Sequence, residues 1–306
     1  MPSIDGRRPA GFCGGAFLFT AVILPVLASC ATVSAVDGRP LPPAQTPGEV
    51  RPEWAALPGF GYRETCLTVF SGRVLRPRLE FHALRVSLTG ANAGIVTSAG
   101  RPDGEGGFLS TRVTGFVRDY RLLAGINALP FDPVSAGEGE ARTNVGLVVS
   151  DGKVTSPPHP GFDALVFFDD GRAAILSQSG IDLTGVVNAV GGFRKVLEDG
   201  RPVYRVLYAQ SRHPRSAAGI SGCGGYLYLL AVDGRRRRSA GATEKETALL
   251  LAALGAAEGL NLDGGGSTAL AVSLPDGSVR LLNTPVHRVI PGRERAVAGS
   301  IGVAAR

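Results

Sequence analysis

An acid followed by three glycines is the arrangement in this chain with most to offer chemically. It stands in Gly259-Leu260-Asn261-Leu262-Asp263-Gly264-Gly265-Gly266-Ser267-Thr268-Ala269-Leu270-Ala271-Val272. Apolar residues lead into Asp263, and the segment after the glycines alternates like a strand. Residues without a Cβ let backbone N–H groups approach an oxyanion closely while a carboxylate is held at a strand end. Gly264, Gly265, Gly266 and Ser267 are therefore candidate substrate contacts beside Asp263. A dinucleotide fold or a P-loop would place a helix after the glycines, so the strand pattern argues against nucleotide binding. A flexible glycine-rich hairpin is the competing interpretation. Arginine holds phosphate or carboxylate through two parallel hydrogen bonds, which draws attention to Arg212 and Arg215 in Arg212-His213-Pro214-Arg215-Ser216-Ala217. Four scattered cysteines and four scattered histidines make no CxxC or HxxxH spacing, so zinc is disfavoured and no metal or cofactor is expected.

The elements that must position these groups read as short strands. The chain has 306 residues, 44% of them hydrophobic, with 43 Gly and 21 Pro, which implies a folded protein rich in turns and argues against long bundles and coiled coils. Apolar runs of strand length and β-branched or aromatic content fall at 65–70, 79–88, 95–98, 144–150, 164–168, 173–176, 203–208, 226–232, 269–274 and 297–303. Asp-Gly pairs at 151–152, 170–171, 199–200, 233–234 and 276–277 predict hairpin turns, because a type I′ turn needs positive φ at both central residues. Thr243-Glu244-Lys245-Glu246 is a capping-box pattern before an apolar stretch that ends at Gly255, and it predicts a helix over 243–254. A weaker helix pattern covers 111–120. Strands outnumber helices and lie mostly in hairpins, so the expected fold is α+β, a single domain around a large mixed or antiparallel β-sheet with a few helices.

The N-terminus carries a targeting pattern. Arg7 and Arg8 precede an apolar core over 12–27 that suits a signal peptide and is short for a membrane span. Leu27-Ala28-Ser29-Cys30 resembles the lipobox of bacterial lipoproteins, where the cysteine is lipidated and becomes the first mature residue. Ordinary cleavage near Val33-Ser34-Ala35 is the alternative. The expected organisation is a lipoprotein signal peptide at 1–29, a Pro-rich tether at 30–58 and a folded domain at 59–306. The expected location is the cell envelope, on its periplasmic or outer-membrane side, held by a lipid anchor. Cys66 and Cys223 would remain in an exported chain, either as a disulfide or as two buried thiols. The net charge of +6 is carried by arginine far more than lysine. Arg235 to Arg238 and Arg293 with Arg295 read as solvated clusters, which an envelope protein could set against anionic cell-wall polymers; no nucleic-acid partner is expected.

Several segments, taken in order, resemble the phosphodiester glycosidase family, which includes the mannose-6-phosphate uncovering enzyme. They are Ala124-Gly125-Ile126-Asn127 with Phe131-Asp132, the Arg212–Ala217 segment, the strand over 226–234, the Asn261–Thr268 glycine loop and the closing Arg293-Glu294-Arg295-Ala296-Val297. Together they span roughly residues 60–304. Ala128-Leu129-Pro130 departs from the family's glycine-rich, aromatic stretch, and Ser216 stands where threonine is common.

The resemblance implies a hydrolase that cleaves the glycosidic bond of sugar-1-phosphodiesters, of N-acetylglucosamine type or in envelope glycans. A phosphomonoester leaving group is weakly basic, so such a site needs cationic donors for the phosphate and a carboxylate near the anomeric carbon. Arg212 and Arg215 suit the first role and Asp263 the second. Glu246 is the candidate second carboxylate, although its capping-box position also accounts for it. Asn127 and Asp132 are candidate sugar ligands, and Thr243 a further substrate contact. The alternative from another class is a non-catalytic glycan-binding or envelope-assembly lipoprotein on the same scaffold.

Overall fold

The computed structural model describes residues 53–56, 66–90, 93–105, 107–134, 137–203, 211–287, 290 and 292–306. The expected signal peptide, Cys30, most of the tether and nearly all of the 203–208 run lie outside the described residues. In chain order the strands begin with β1 (Glu53–Ala56), β2 (Leu67–Val74), β3 (Leu79–Ser87), β4 (Ala93–Ser98), β5 (Arg101–Pro102) and β6 (Phe108–Leu109). Helix α1 (Val113–Asp119) leads to β7 (Ala124–Asn127), β8 (Phe131–Asp132), β9 (Ala141–Asn144), β10 (Val148–Ser150), β11 (Lys153–Ser156), β12 (Asp163–Phe168) and β13 (Ala173–Ser177). Then come β14 (Val186–Gly191), β15 (Arg194–Glu198), β16 (Arg201–Pro202), β17 (Arg215–Ser221) and β18 (Tyr226–Val232). Helix α2 (Glu244–Leu254) precedes β19 (Ala256–Asn261), β20 (Leu270–Ser273), β21 (Val279–Leu281) and β22 (Ser300–Ala305).

The fold is α+β, a single domain whose described strand pairings are antiparallel. An eight-stranded sheet runs β1-β2-β3-β18-β17-β19-β15-β16, with five-stranded sheets β11-β10-β14-β12-β13 and β21-β20-β7-β22-β4 and a four-stranded sheet β5-β6-β9-β8. Strand alternation separates two cores across the large sheet. One face gives Leu67, Val69, Leu84, Leu229 and Leu260 to a core shared with Ile126, Leu270 and Ile301 of one smaller sheet and Val148, Leu165 and Val190 of the other. The opposite face gives Phe70, Phe81, Leu230 and Val232, and Leu250 and Leu251 of α2 cover it.

Local sequence accounts for much of this. Thr243 accepts from the Glu246 N–H while the Glu246 carboxylate accepts from the Thr243 N–H, and Gly255 closes α2 at φ 109°. Helix α1 has no side-chain cap from its own N-cap residue. Its first turn is met from 180 residues away: the Glu294 carboxylate accepts from the Thr114 N–H at 3.1 Å and the Thr114 hydroxyl at 2.6 Å. Asp151-Gly152 and Asp199-Gly200 have positive φ at both residues and close the two-residue hairpins β10–β11 and β15–β16. At Asp170-Gly171 and Asp276-Gly277 only the glycine does.

Three expectations need correction. Asp233-Gly234 is not a hairpin: Asp233 is buried and accepts from the Thr284 N–H at 2.9 Å, which carries the chain out of β18 into a loop. The segment read as tether contains β1, which pairs with β2 from Glu53↔Arg73 to Ala56↔Phe70, so the large sheet begins before Gly59. Cys66 and Cys223 form no disulfide, and they are not two buried thiols either, because Cys66 is buried and Cys223 exposed.

Candidate active site

Asp263 stands two residues beyond β19, and its main chain is tied on both sides. Its N–H donates to the Ala128 carbonyl at 2.7 Å, and its own carbonyl accepts from Asn127 Nδ2 at 2.6 Å. Asn127 Oδ1 accepts from the Ser216 hydroxyl at 2.7 Å and the Ala269 N–H at 3.1 Å. One buried amide thus ties the ends of β7, the start of β17 and the glycine loop together.

Each glycine has its own reason. A Cβ on Gly264 would lie 2.7 Å from the Pro214 carbonyl oxygen, Gly265 takes φ +63°, and a Cβ on Gly266 would lie 2.5 Å from the Arg295 guanidinium. The loop's amides are largely consumed inside the protein: Gly265 N–H donates to Pro214 O, Ser267 N–H to Gly264 O, and Gly264 N–H to the Asp263 carboxylate. Of these amides, the Gly264 N–H is the one that holds the Asp263 carboxylate.

Burial pushes the Asp263 carboxyl up to about 6, against the opposing pull of the Ser267 hydroxyl, the Arg295 charge and the Gly264 N–H. Arg295 lies along Gly266 and donates to Ser267 Oγ at 3.4 Å. Its neighbour Glu294 turns the other way to cap α1, so one short segment anchors a helix and delivers a guanidinium to the loop. On the other side of the glycines, Arg235 approaches Gly265 and donates to His213 Nδ1 at 3.0 Å. Burial, then the charges of Arg215 and Arg235, lower the His213 pKa. A neutral ring accepting at Nδ1 carries its proton on Nε2. Asp263, Ser267, Arg295, Arg235 and His213 thus form one cluster around the glycine loop, with Asn127 behind it.

The phosphodiester glycosidase family model matches residues 120–304 of this chain. The chain belongs to the phosphodiester glycosidase family. It is 28% identical over 172 residues to the SPbeta prophage-derived uncharacterized protein YomE of Bacillus subtilis (strain 168), a match over 52% of this chain and 25% of that protein. The chain thus spans about a quarter of that relative's length. Among solved structures, it is similar to the zebrafish N-acetylglucosamine-1-phosphodiester alpha-N-acetylglucosaminidase catalytic domain auto-inhibited by pro-peptide. That similarity has a TM-score of 0.61 at 19% identity, over 83% of this chain and 88% of the other. A hypothetical protein from Synechocystis aligns with a TM-score of 0.54 at 16% identity, over 78% of this chain and 62% of that one. At these identities the structural likenesses establish the fold.

Against this phosphodiester glycosidase fold, several expected site residues take different places. Arg212 was expected to clamp phosphate, but its two terminal nitrogens each lie 2.6 Å from a Glu246 carboxylate oxygen. Arg215 donates to the Ala242 and Ser211 carbonyls, with Glu244 at 3.8 Å. Both arginines therefore pin the 211–215 segment to the start of α2. Glu246, the expected second carboxylate, accepts from Arg212 and from the Thr243 N–H, and Thr243, the expected further substrate contact, is buried and caps the helix. Asn127 braces the Asp263 loop with the amide expected to bind sugar. Asp132 is exposed on β8 opposite Thr143, at an edge of the four-stranded sheet. Arg235, Arg295 and His213 were not among the expected site residues. Two of them sit inside the quoted family segments, which was the available signal, but as members of charge clusters the arginines read as solvated. Among the described residues no group of three or more His, Cys, Asp or Glu is arranged to hold a metal ion.

Proposed function

We propose that this chain hydrolyses the glycosidic bond of sugar-1-phosphodiesters, with sugars of N-acetylglucosamine type or in envelope glycans as the substrate class. The observation that carries this reading is geometric: the Asp263 carboxyl stands at a glycine loop fixed by Asn127 and Pro214, with the Arg295 guanidinium against Gly266, and burial pushes the carboxyl up to about 6. Cleavage breaks the bond between the anomeric carbon and a phosphate oxygen, and water adds to the sugar. The departing phosphomonoester needs little protonation. Its charge calls for guanidinium donors, which Arg295 and Arg235 supply here in place of Arg212 and Arg215. Ionised Asp263 stabilises positive charge at the anomeric carbon, attacks it, or activates the water. The neutral His213 ring, fixed by Arg235, offers its Nε2–H as a further donor to phosphate.

The envelope setting belongs to the same proposal: export by a signal peptide, lipidation at Cys30 and a tether that lets the domain reach anionic glycans. Release of free sugar from a panel of sugar-1-phosphate diesters by the purified chain tests the reading. Turnover of at least one diester supports it. Binding of the same compounds without release favours a glycan-binding lipoprotein instead.

A further inference from the structure

A polar cavity of about 630 Å³ is lined by Arg73, Glu80, His82, Asp233, Arg236 and Arg238, with Ser71, Leu282 and Thr284. Three connections join it to the Asp263 cluster. The first is sheet register: Ser216 pairs with Ala231, Ala231 with His82, and His82 with Ser71, across β17, β18, β3 and β2. Directly opposed residues share a face, and strands about 4.8 Å apart put His82 roughly 10 Å from Ser216. Ser216 backs the Asp263 loop through Asn127.

The second connection is the loop after β18. Arg235 adopts φ +54°, unusual for a residue with a side chain, and sends its guanidinium to Gly265 and His213, while Arg236 pairs with Asp233 at 3.1 Å on the cavity wall. The third is the segment after β21. Asn283 braces the strand beyond the glycines by accepting from the Leu270 N–H and donating to the Thr268 carbonyl, and its neighbours Leu282 and Thr284 line the cavity.

The lining carries three guanidiniums against two carboxylates, and Asp233 is already engaged by Arg236 and the Thr284 N–H. Burial keeps His82 neutral, with its pKa pushed down to about 4, so the positive surplus comes from arginine. We infer that this cavity is a subsite for a second phosphate group on an extended, repeating phosphodiester substrate whose first unit occupies the Asp263 site. The inference rests on the function proposed above. The loop after β18 and the segment after β21 each touch both places, which suits a neighbouring phosphate along a chain, not the scissile one. Free inorganic phosphate has the same chemistry and is the other source of such a group.

Two measurements on the full chain test this, with Arg238→Glu as the variant and Arg237→Glu as a control of equal charge outside the lining. In calorimetric titrations with tripolyphosphate, Arg238→Glu should weaken binding by about tenfold and Arg237→Glu by less than about twofold. Equal weakening in both variants would reduce the effect to general surface charge and overturn the subsite. In kinetics, the ratio of kcat/KM for a sugar diester carrying a second phosphate to that for one without it should fall about tenfold in Arg238→Glu and hold in Arg237→Glu. An unchanged ratio alongside weakened tripolyphosphate binding would assign the cavity to free phosphate and overturn the subsite. Should binding depend on Arg238 while wild type releases no sugar from either diester, the hydrolytic reading of Asp263 fails and the phosphate site stands.

Discussion

Asp263 is held where an ionised carboxylate is disfavoured, and that has two measurable consequences. With its carboxyl pushed up to about 6, kcat/KM should rise with pH through about 6 and then level, because the ionised form does the work. A pH profile flat from 4.5 to 8 would contradict this. The same shift works against stability. The folded state holds its proton to higher pH than the unfolded chain, so stability falls as pH rises from about 4 to about 6 and stays lower above that. Asp263→Asn removes the effect and should stabilise the protein at pH 8 by on the order of 1–2 kcal/mol, allowing for the carboxyl's partly exposed edge, with the difference vanishing near pH 4. Arg295→Lys keeps a positive charge but loses the planar fork, and should lower turnover by about tenfold or more with Tm little changed. Wild-type kinetics in that variant would remove Arg295 from the site. At this scale Asp263 was legible because an acid abutting three glycines is a local pattern. Arg295 was not, because its partner Ser267 lies 28 residues away and only the folded chain shows that its guanidinium rests on Gly266.

At the scale of elements, α2 was legible to its last capping bond because every partner lies within the helix and its flanks. Sequence also placed Glu246 correctly in that cap, but gave no sign that Arg212 would arrive from 34 residues away to share its carboxylate. Helix α1 shows the same limit, since its cap comes from Glu294. The reassignment of Arg212 and Glu246 to structure can be checked with a double-mutant cycle. Arg212→Ala and Glu246→Gln should each destabilise the protein, with a coupling on the order of 1 kcal/mol because the guanidinium is partly exposed. The residual turnover of Arg212→Ala should stay within a few-fold of wild type. A loss of about 100-fold at unchanged stability would return Arg212 to the phosphate. Asp233-Gly234 misled for a related reason: a turn dipeptide says nothing of a backbone donor, the Thr284 N–H, that captures the acid from 51 residues on.

For the whole molecule, strand-length runs and turn residues conveyed the α+β class and the excess of strands over helices, and left open whether the sheet was mixed or antiparallel. They did not convey the division into sheets of eight, five, five and four strands, because neighbours such as β3 and β18 or β7 and β22 are distant in sequence. Burial between those sheets is what holds the Asn127 amide, the Ser216 hydroxyl and the Asp263 loop together. Anchoring belongs to this scale as well. If Cys30 carries acyl chains, the mature protein should partition with membranes, and Cys30→Ser should release it or stall its processing. An intact mass showing an unmodified N-terminus at Val36 would contradict lipidation.

The most direct measurement of the central claim is turnover of Asp263→Asn on a sugar-1-phosphodiester that the wild type cleaves. The substitution keeps size and most hydrogen bonding while removing the charge. Turnover should fall on the order of 100-fold or more, with substrate affinity and fold retained. Near-native turnover in Asp263→Asn would contradict the assignment of the glycine-loop carboxylate as the catalytic group.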